Sequence, residues 1–313
     1  TRCTSSAASD VYKRQLYDRF VNQGAVMGDS FGLENVLWFA NNKADAHEEP
    51  TIKRSRSHDY VSKEVINVRE NVGLIEVANF SKHEFKGPDA RKFLDHIMAG
   101  RLPKPGRISL SPMLSYRGKL CGDLTVACLE QNEFMVFGSG AAQEMHRRWF
   151  ESHLDKFNLS YSNRSDEYHG LSIAGPNSRK VLEKIVRDDV SNEKFKFRDS
   201  RRMFVGSVPA IINRISFTGE LGYEIYVAPH YQLKLYEELM EAGNEFNIKP
   251  FGGRALMSMR LEKNWGAWTL DYRPDFTAKE TGLDTFINWD KDFIGKESAQ
   301  KQNSSNKLIP LIV

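Results

Sequence analysis

The 313-residue sequence has three cysteines, Cys3, Cys121 and Cys128. None forms a Cys-x-x-Cys pair and the number is odd, which excludes a disulfide framework and a zinc knuckle. The only helix-spaced pair among eight histidines is His146 and His153, seven residues apart instead of three or four, so no metal site is expected. The sequence also lacks any run of 18 apolar residues and any charged-then-apolar leader, so no membrane partner is expected. An excess of one charge is missing as well. Lys plus Arg number 44 against 41 Asp plus Glu, a net +3 that gives no field for nucleic acid. No Gly-x-Gly-x-x-Gly follows a strand pattern, which excludes a dinucleotide fold within this chain. The expected location is the cytoplasm, or the mitochondrial matrix in a eukaryote.

What is present is globular usage: 40% hydrophobic and 27% charged residues, in a length that suits about two domains. Thr1 to Gln15 shows no period and resembles translated adaptor sequence, so 1–15 is read as a non-native tail. A polar stretch from Ala40 to Arg56 reads as a surface loop. Val72 to Val77 is apolar, and a helix is expected from Pro88 to Ala99, with Pro in its first turn and Gly100 at its end. Residues 107–138 alternate around turn signals at Arg117-Gly118 and Gln131-Asn132 and read as a three-strand meander. A second helix is expected from Ala141 to Phe157.

The second half repeats this scheme. FKGPDARKFLDHI (85–97) aligns with IAGPNSRKVLEKI (173–185), with identities at six of thirteen positions. SYRGKLCGD (115–123) aligns with SFTGELGYE (216–224), which would make Asp123 and Glu224 equivalent. The fold class expected is α+β, with two pseudo-symmetric antiparallel-sheet and helix units over 16–165 and 166–305. Ligands favour such interfaces, so Asp123 and Glu224 either face one cavity or each caps its own hairpin turn.

Seven ordered motifs carry a family resemblance: FLDHI (93–97), GKLCGDLTV (118–126), IAGPNSRKVL (173–182), ISFTGELGYEIYV (215–227), MRLEKNWGAW (259–268), TGLDTFI (281–287) and DFIGKES (292–298). From about Leu16 onward the chain resembles the folate-dependent aminomethyltransferase family of the glycine cleavage T-protein, most closely the C-terminal half of dimethylglycine and sarcosine dehydrogenases. The resemblance implies tetrahydrofolate as cofactor and formation of methylene-tetrahydrofolate from a methylene iminium or formaldehyde equivalent. It implies a catalytic role for Asp123, and cofactor contacts from Glu224 to the pterin, from Phe217, where the family usually has Tyr, and from Arg254. Trp265 and Trp268 are read as core. FAD would belong to a flavin domain upstream in the same longer chain, acting on a methylamine-derived substrate. Residues 306–313 would begin a truncated C-terminal barrel. A stand-alone aminomethyltransferase and a non-catalytic folate-binding protein are the alternatives. The region 286–298, FINWDKDFIGKES, has no KGCYxGQE-like stretch, which disfavours the related iron–sulfur assistance proteins.

Overall fold

A computed structural model describes residues 15–30, 33–49 and 51–309. Most of the expected tail, 1–14, lies outside the described residues, as do the last residues, 310–313, of the expected barrel start. Helix α1 (Tyr17–Asn22) leads into a hairpin of β1 (Ala25–Ser30) and β2 (Leu33–Phe39), and α2 (Ser57–Glu70) precedes β3 (Val72–Glu76). The first repeat comprises β4 (Phe80–Lys86), α3 (Ala90–Ile97), β5 (Arg107–Leu114), β6 (Leu120–Glu130), β7 (Glu133–Ser139), α4 (Gln143–Glu151) and β8 (Ser160–Asn163). The second comprises β9 (His169–Ala174), α5 (Ser178–Ile185), β10 (Ser200–Val205), β11 (Val208–Asn213), β12 (Gly222–Val227), α6 (Gln232–Gly243) and β13 (Ile248–Pro250). Helices α7 (Gly253–Glu262), α8 (Ala278–Thr281) and α9 (Lys296–Gln300) follow.

The first repeat forms a five-stranded sheet ordered β5-β6-β7-β4-β8, and the second a six-stranded sheet ordered β10-β11-β12-β9-β3-β13. Strand for strand the two orders agree, apart from β3. It is hydrogen bonded antiparallel to β9 and parallel to β13, inside the second sheet. Residues 72–76, assigned from sequence to the unit 16–165, therefore pair with the other unit. Pairing both edges of β3 there satisfies backbone groups that water would otherwise have to reach.

The strands are apolar on both faces because each sheet is covered twice. Leu124, Val126 and Cys128 of β6 pack with Phe93, Leu94 and Ile97 of α3 and with Phe150 of α4. Val181 and Leu182 of α5 and Leu235 and Leu239 of α6 cover the outer face of the second sheet. Between the sheets, Ala127, Leu129, Met135 and Phe137 meet Ile75, Ile211 and Tyr226, and the Phe137 and Tyr226 rings stack at 4.6 Å. The two rings occupy equivalent positions, so a local pseudo-twofold passes between them.

The expected meander is present, with Pro112 tolerated because β5 is an edge strand. The second expected helix stops at Glu151, where Ser152 Oγ and the His153 ring both turn back onto the Trp149 carbonyl. The repeat at 85–97 and 173–185 is one structure used twice. Gly87 (φ 134°) and Gly175 (φ 131°) each end a strand, and their carbonyls accept from Ala90 N–H at 3.1 Å and Ser178 N–H at 3.0 Å. Such a φ is open only to glycine at little cost.

The second sequence alignment is corrected by the pairing. Asp123 lies on β6, the second strand of its unit, whereas Glu224 lies on β12, the counterpart of β7. By register, Met135 is the partner of Glu224 and Pro209 that of Asp123. The two segments look alike because each carries a left-handed glycine, Gly118 or Gly219, in a loop that enters a strand.

Candidate active site

Asp123 shares a face of β6 with Ala127 and Leu129 and points between the sheets, opposite Pro112 of β5. Just before it the register slips. Met113 pairs with Gly122 and Leu114 with Leu120, leaving Cys121 as the extra residue of a β-bulge. The Asp123 side chain is enclosed by protein yet keeps an open face, and burial pushes its carboxyl up to about 7, opposed only by its own backbone N–H. Beside it stands Tyr272, whose phenol is pushed up first by burial and further by the Asp123 charge. Tyr272 packs with Trp268, Trp265, Leu120 and Ala142 in a cluster that closes this end of the sheet.

Glu224 points from β12 to the same inter-sheet face as Tyr226, whose hydroxyl donates to Glu224 Oε2 at 2.9 Å. Its strand neighbours are Asn213 and Ser172. Burial pushes this carboxyl up to about 7 as well, against the Tyr226 hydrogen bond and the charges of Lys263 and Lys82. Lys263 Nζ donates to the Ser216 carbonyl at 2.9 Å, and its ammonium pKa is lowered by burial. Asn213 is fully buried: its Oδ1 accepts from Ser200 Oγ at 2.7 Å, while its Nδ2 has no partner among the described residues.

Segment 263–272 joins the two carboxylates. Lys263 lies beside Glu224 and over the Trp265 ring at 5.7 Å, Trp265 meets Tyr272 edge-on at 6.4 Å, and Tyr272 lies beside Asp123. Phe217 sits half-buried in the loop between β11 and β12, and among the described residues its ring meets no other aromatic ring. Arg254 stands apart, at the start of α7, paired with Glu48 and Ser57. Trp268 is buried in the closing cluster and Trp265 lies partly buried against it. The contributions of Tyr226, Lys263, Asn213 and Tyr272 were missed from sequence, and their only signal was that Tyr226 and Lys263 fall inside the motifs 215–227 and 259–268. Cavities of about 420 and 450 Å³ lie elsewhere, the first at Asn192 and Phe197 and the second between β2, α2 and β13. Among the described residues no three His, Cys, Asp or Glu side chains are grouped to hold a metal ion, and no helix is long and apolar enough to cross a membrane.

Two α+β units packed sheet against sheet, with a largely enclosed carboxylate on each inner face, define the fold class. The chain belongs to the aminomethyltransferase family, matching its GCVT N-terminal domain over residues 16–291. It is 35% identical over 280 residues to the mitochondrial dimethylglycine dehydrogenase of Mus musculus, covering 88% of this chain and 32% of that protein. Thus it spans about a third of the length of the dehydrogenases it matches. It is also 30% identical over 250 residues to an aminomethyltransferase of Desulfitobacterium hafniense, covering 78% of this chain and 68% of the relative. The fold matches the glycine cleavage system aminomethyltransferase T of Bartonella henselae with a TM-score of 0.77, at 22% identity, over 91% of this chain and 73% of that one.

Proposed function

We propose that this chain is the tetrahydrofolate-binding, one-carbon-transfer module of a dimethylglycine or sarcosine dehydrogenase-like enzyme. The observation that carries the reading is the pair of carboxyls with proton affinities near neutrality, set on facing sheets and joined by segment 263–272. When bound, tetrahydrofolate supplies the amine nitrogens that take up a one-carbon unit. Glu224 fits its pterin, because two carboxylate oxygens match the adjacent 2-amino and ring N–H donors. The unpartnered Asn213 Nδ2 on the neighbouring strand position supplies a donor beside that acceptor. Phe217 offers a ring face for stacking. Arg254 would bind a ligand carboxylate by exchanging Glu48 for it. Asp123, with a pKa near 7, is suited to accept the proton an amine releases as its new C–N bond forms, since a base works best when its pKa is close to the ambient pH.

In this reading a flavin domain of the same longer chain generates the one-carbon unit from a methylamine, in mitochondria as for the dehydrogenase relatives. The test uses titration calorimetry with tetrahydrofolate and appearance of methylene-tetrahydrofolate from formaldehyde. Glu224→Gln is expected to weaken binding by about tenfold or more, the loss of a charged acceptor. Asp123→Asn is expected to slow condensation by about 100-fold with binding kept within about threefold. Unchanged condensation in Asp123→Asn would overturn its assigned role. A second reading, a stand-alone aminomethyltransferase, is favoured by the 68% coverage of the Desulfitobacterium relative. Turnover with an aminomethyl-lipoyl carrier, and none with dimethylglycine in the full-length protein, would establish it. Binding without turnover of either kind would leave a non-catalytic folate-binding protein.

A further inference from the structure

We propose that His146 is a positioning residue for Asp123: from α4 it holds the carbonyl of Cys121, the bulged residue of β6, and so fixes the direction in which Asp123 points. The bulge separates Asp123 from the regular hairpin. It leaves Cys121 without a pairing partner on β5, since Leu120 pairs with Leu114 and Gly122 with Met113. A bulge frees a backbone carbonyl that must find another donor or pay for its burial. His146 Nε2 provides that donor, at 3.0 Å from the Cys121 oxygen.

The surroundings are shaped for this ring. His146 is 1% exposed. A Cβ at Gly122 would lie 2.9 Å from its Nε2, and one at Gly138 would lie 3.3 Å from its Cε1. Two strand glycines, each a cost to sheet stability, thus open the space that the imidazole fills. His83 and Phe150 pack around it, and on the other side the ring lies 6.1 Å from Trp268, which bridges to Tyr272 beside Asp123. The imidazole is neutral, as burial pushes its pKa down to about 4, so one nitrogen donates while Nδ1 has no partner among the described residues. The second unit has no such device. Its β10–β11 pairing runs without a bulge, and Pro209 stands where Asp123 would be.

The inference deepens the reading of Asp123 as a proton acceptor and rests on it, so its test has one arm that needs no ligand. In the full chain, the Asp123 carboxyl is followed by ¹³C NMR titration without ligand, its resonance assigned by its loss in Asp123→Asn. His146→Phe keeps an aromatic ring and removes the donor, and it is expected to move the Asp123 midpoint by half a pH unit or more. His146→Gln, whose amide reaches the same carbonyl, is expected to restore it. His83→Phe, in the same cluster but not touching Cys121, is expected to leave it unmoved. In the condensation assay His146→Phe should lower kcat about tenfold with the dissociation constant for tetrahydrofolate within twofold of wild type. An Asp123 midpoint unchanged in His146→Phe, or moved equally by His83→Phe, overturns the proposal. If His146→Phe does not fold, Gln is compared with Asn, which is too short to reach the carbonyl, and equal midpoints in those two overturn it. Failure of wild type to bind tetrahydrofolate would overturn the functional reading alone, because the ligand-free titration still decides the role of His146.

Discussion

Asp123 and Glu224 each hold a proton more tightly in the fold than in the unfolded chain, because burial raises both carboxyls to about 7. Between roughly pH 4 and 7 the native state therefore binds more protons, and its stability falls as pH rises through that window. Their contribution is full below the unfolded pKa and lost above about 7. A neutral carboxamide escapes the loss, so Asp123→Asn and Glu224→Gln are expected to be more stable than wild type at pH 8 in urea unfolding, with the gap closing by pH 4. The same buried histidines run the other way. His83 and His146 are pushed down to about 3 and about 4, so their contribution is full above pH 6.5 and lost as pH falls towards 4. Asp123 and Glu224 were legible in the sequence because each follows a glycine-marked strand entry in a family motif. Tyr226, Asn213 and Lys263 were not, since only strand register and the turn of α7 bring them to Glu224. Arg254 shows the opposite limit: its guanidinium was readable as a binding fork, but its partner Glu48 comes from the loop before α2.

The strand-to-helix turn is the element the chain uses twice, and its glycine is fixed by space as well as by φ. A Cβ at Gly175 would lie 2.4 Å from the Val68 oxygen and 2.5 Å from the Asn71 oxygen. Gly219 also has a positive φ, but its nearest neighbour is Lys263 Cβ at 3.5 Å. Gly175→Ala is therefore expected to cost about 3 kcal/mol or more, strain plus overpacking, and Gly219→Ala about 1 kcal/mol, strain alone. Urea midpoints at constant slope would measure both. This turn was visible in the sequence through its Gly-Pro and Arg-Lys pairs, and so were α3 and the meander, whose apolar periods are strong. Helix α2 was not identified from sequence: Val61, Val65 and Val68 form only a narrow apolar stripe, and the other buried residues, Ser57, Glu64 and Asn67, are polar. Glu64 is buried to clamp two backbones, accepting from Phe39 N–H at 2.7 Å and Gly252 N–H at 2.9 Å. The likeness of 115–123 to 216–224 misled because local turn chemistry repeats wherever a loop needs a left-handed glycine.

At the scale of the molecule, duplication explains two sheets with matching strand orders and a shared inner face, and that much was readable from the repeat. The placement of β3 was not, because an apolar run of five residues carries no sign of which sheet it joins. Dividing the chain at the 165/166 boundary should consequently leave neither half native: the second would lack the strand between β9 and β13, and the first would expose β3. Hydrogen exchange is expected to find β9 and β13 amides unprotected in the isolated second half, and protected again when both halves are mixed. The same strand sets a clock on synthesis. Val72 emerges from the ribosome long before Ile248, its parallel partner, and at 5–20 residues per second the wait is roughly 10–35 s. Until β9 follows at His169 both edges of this apolar strand are open, and until Ile248 one edge still is, which makes β3 the segment whose sequestration from neighbouring nascent chains a chaperone would have to provide.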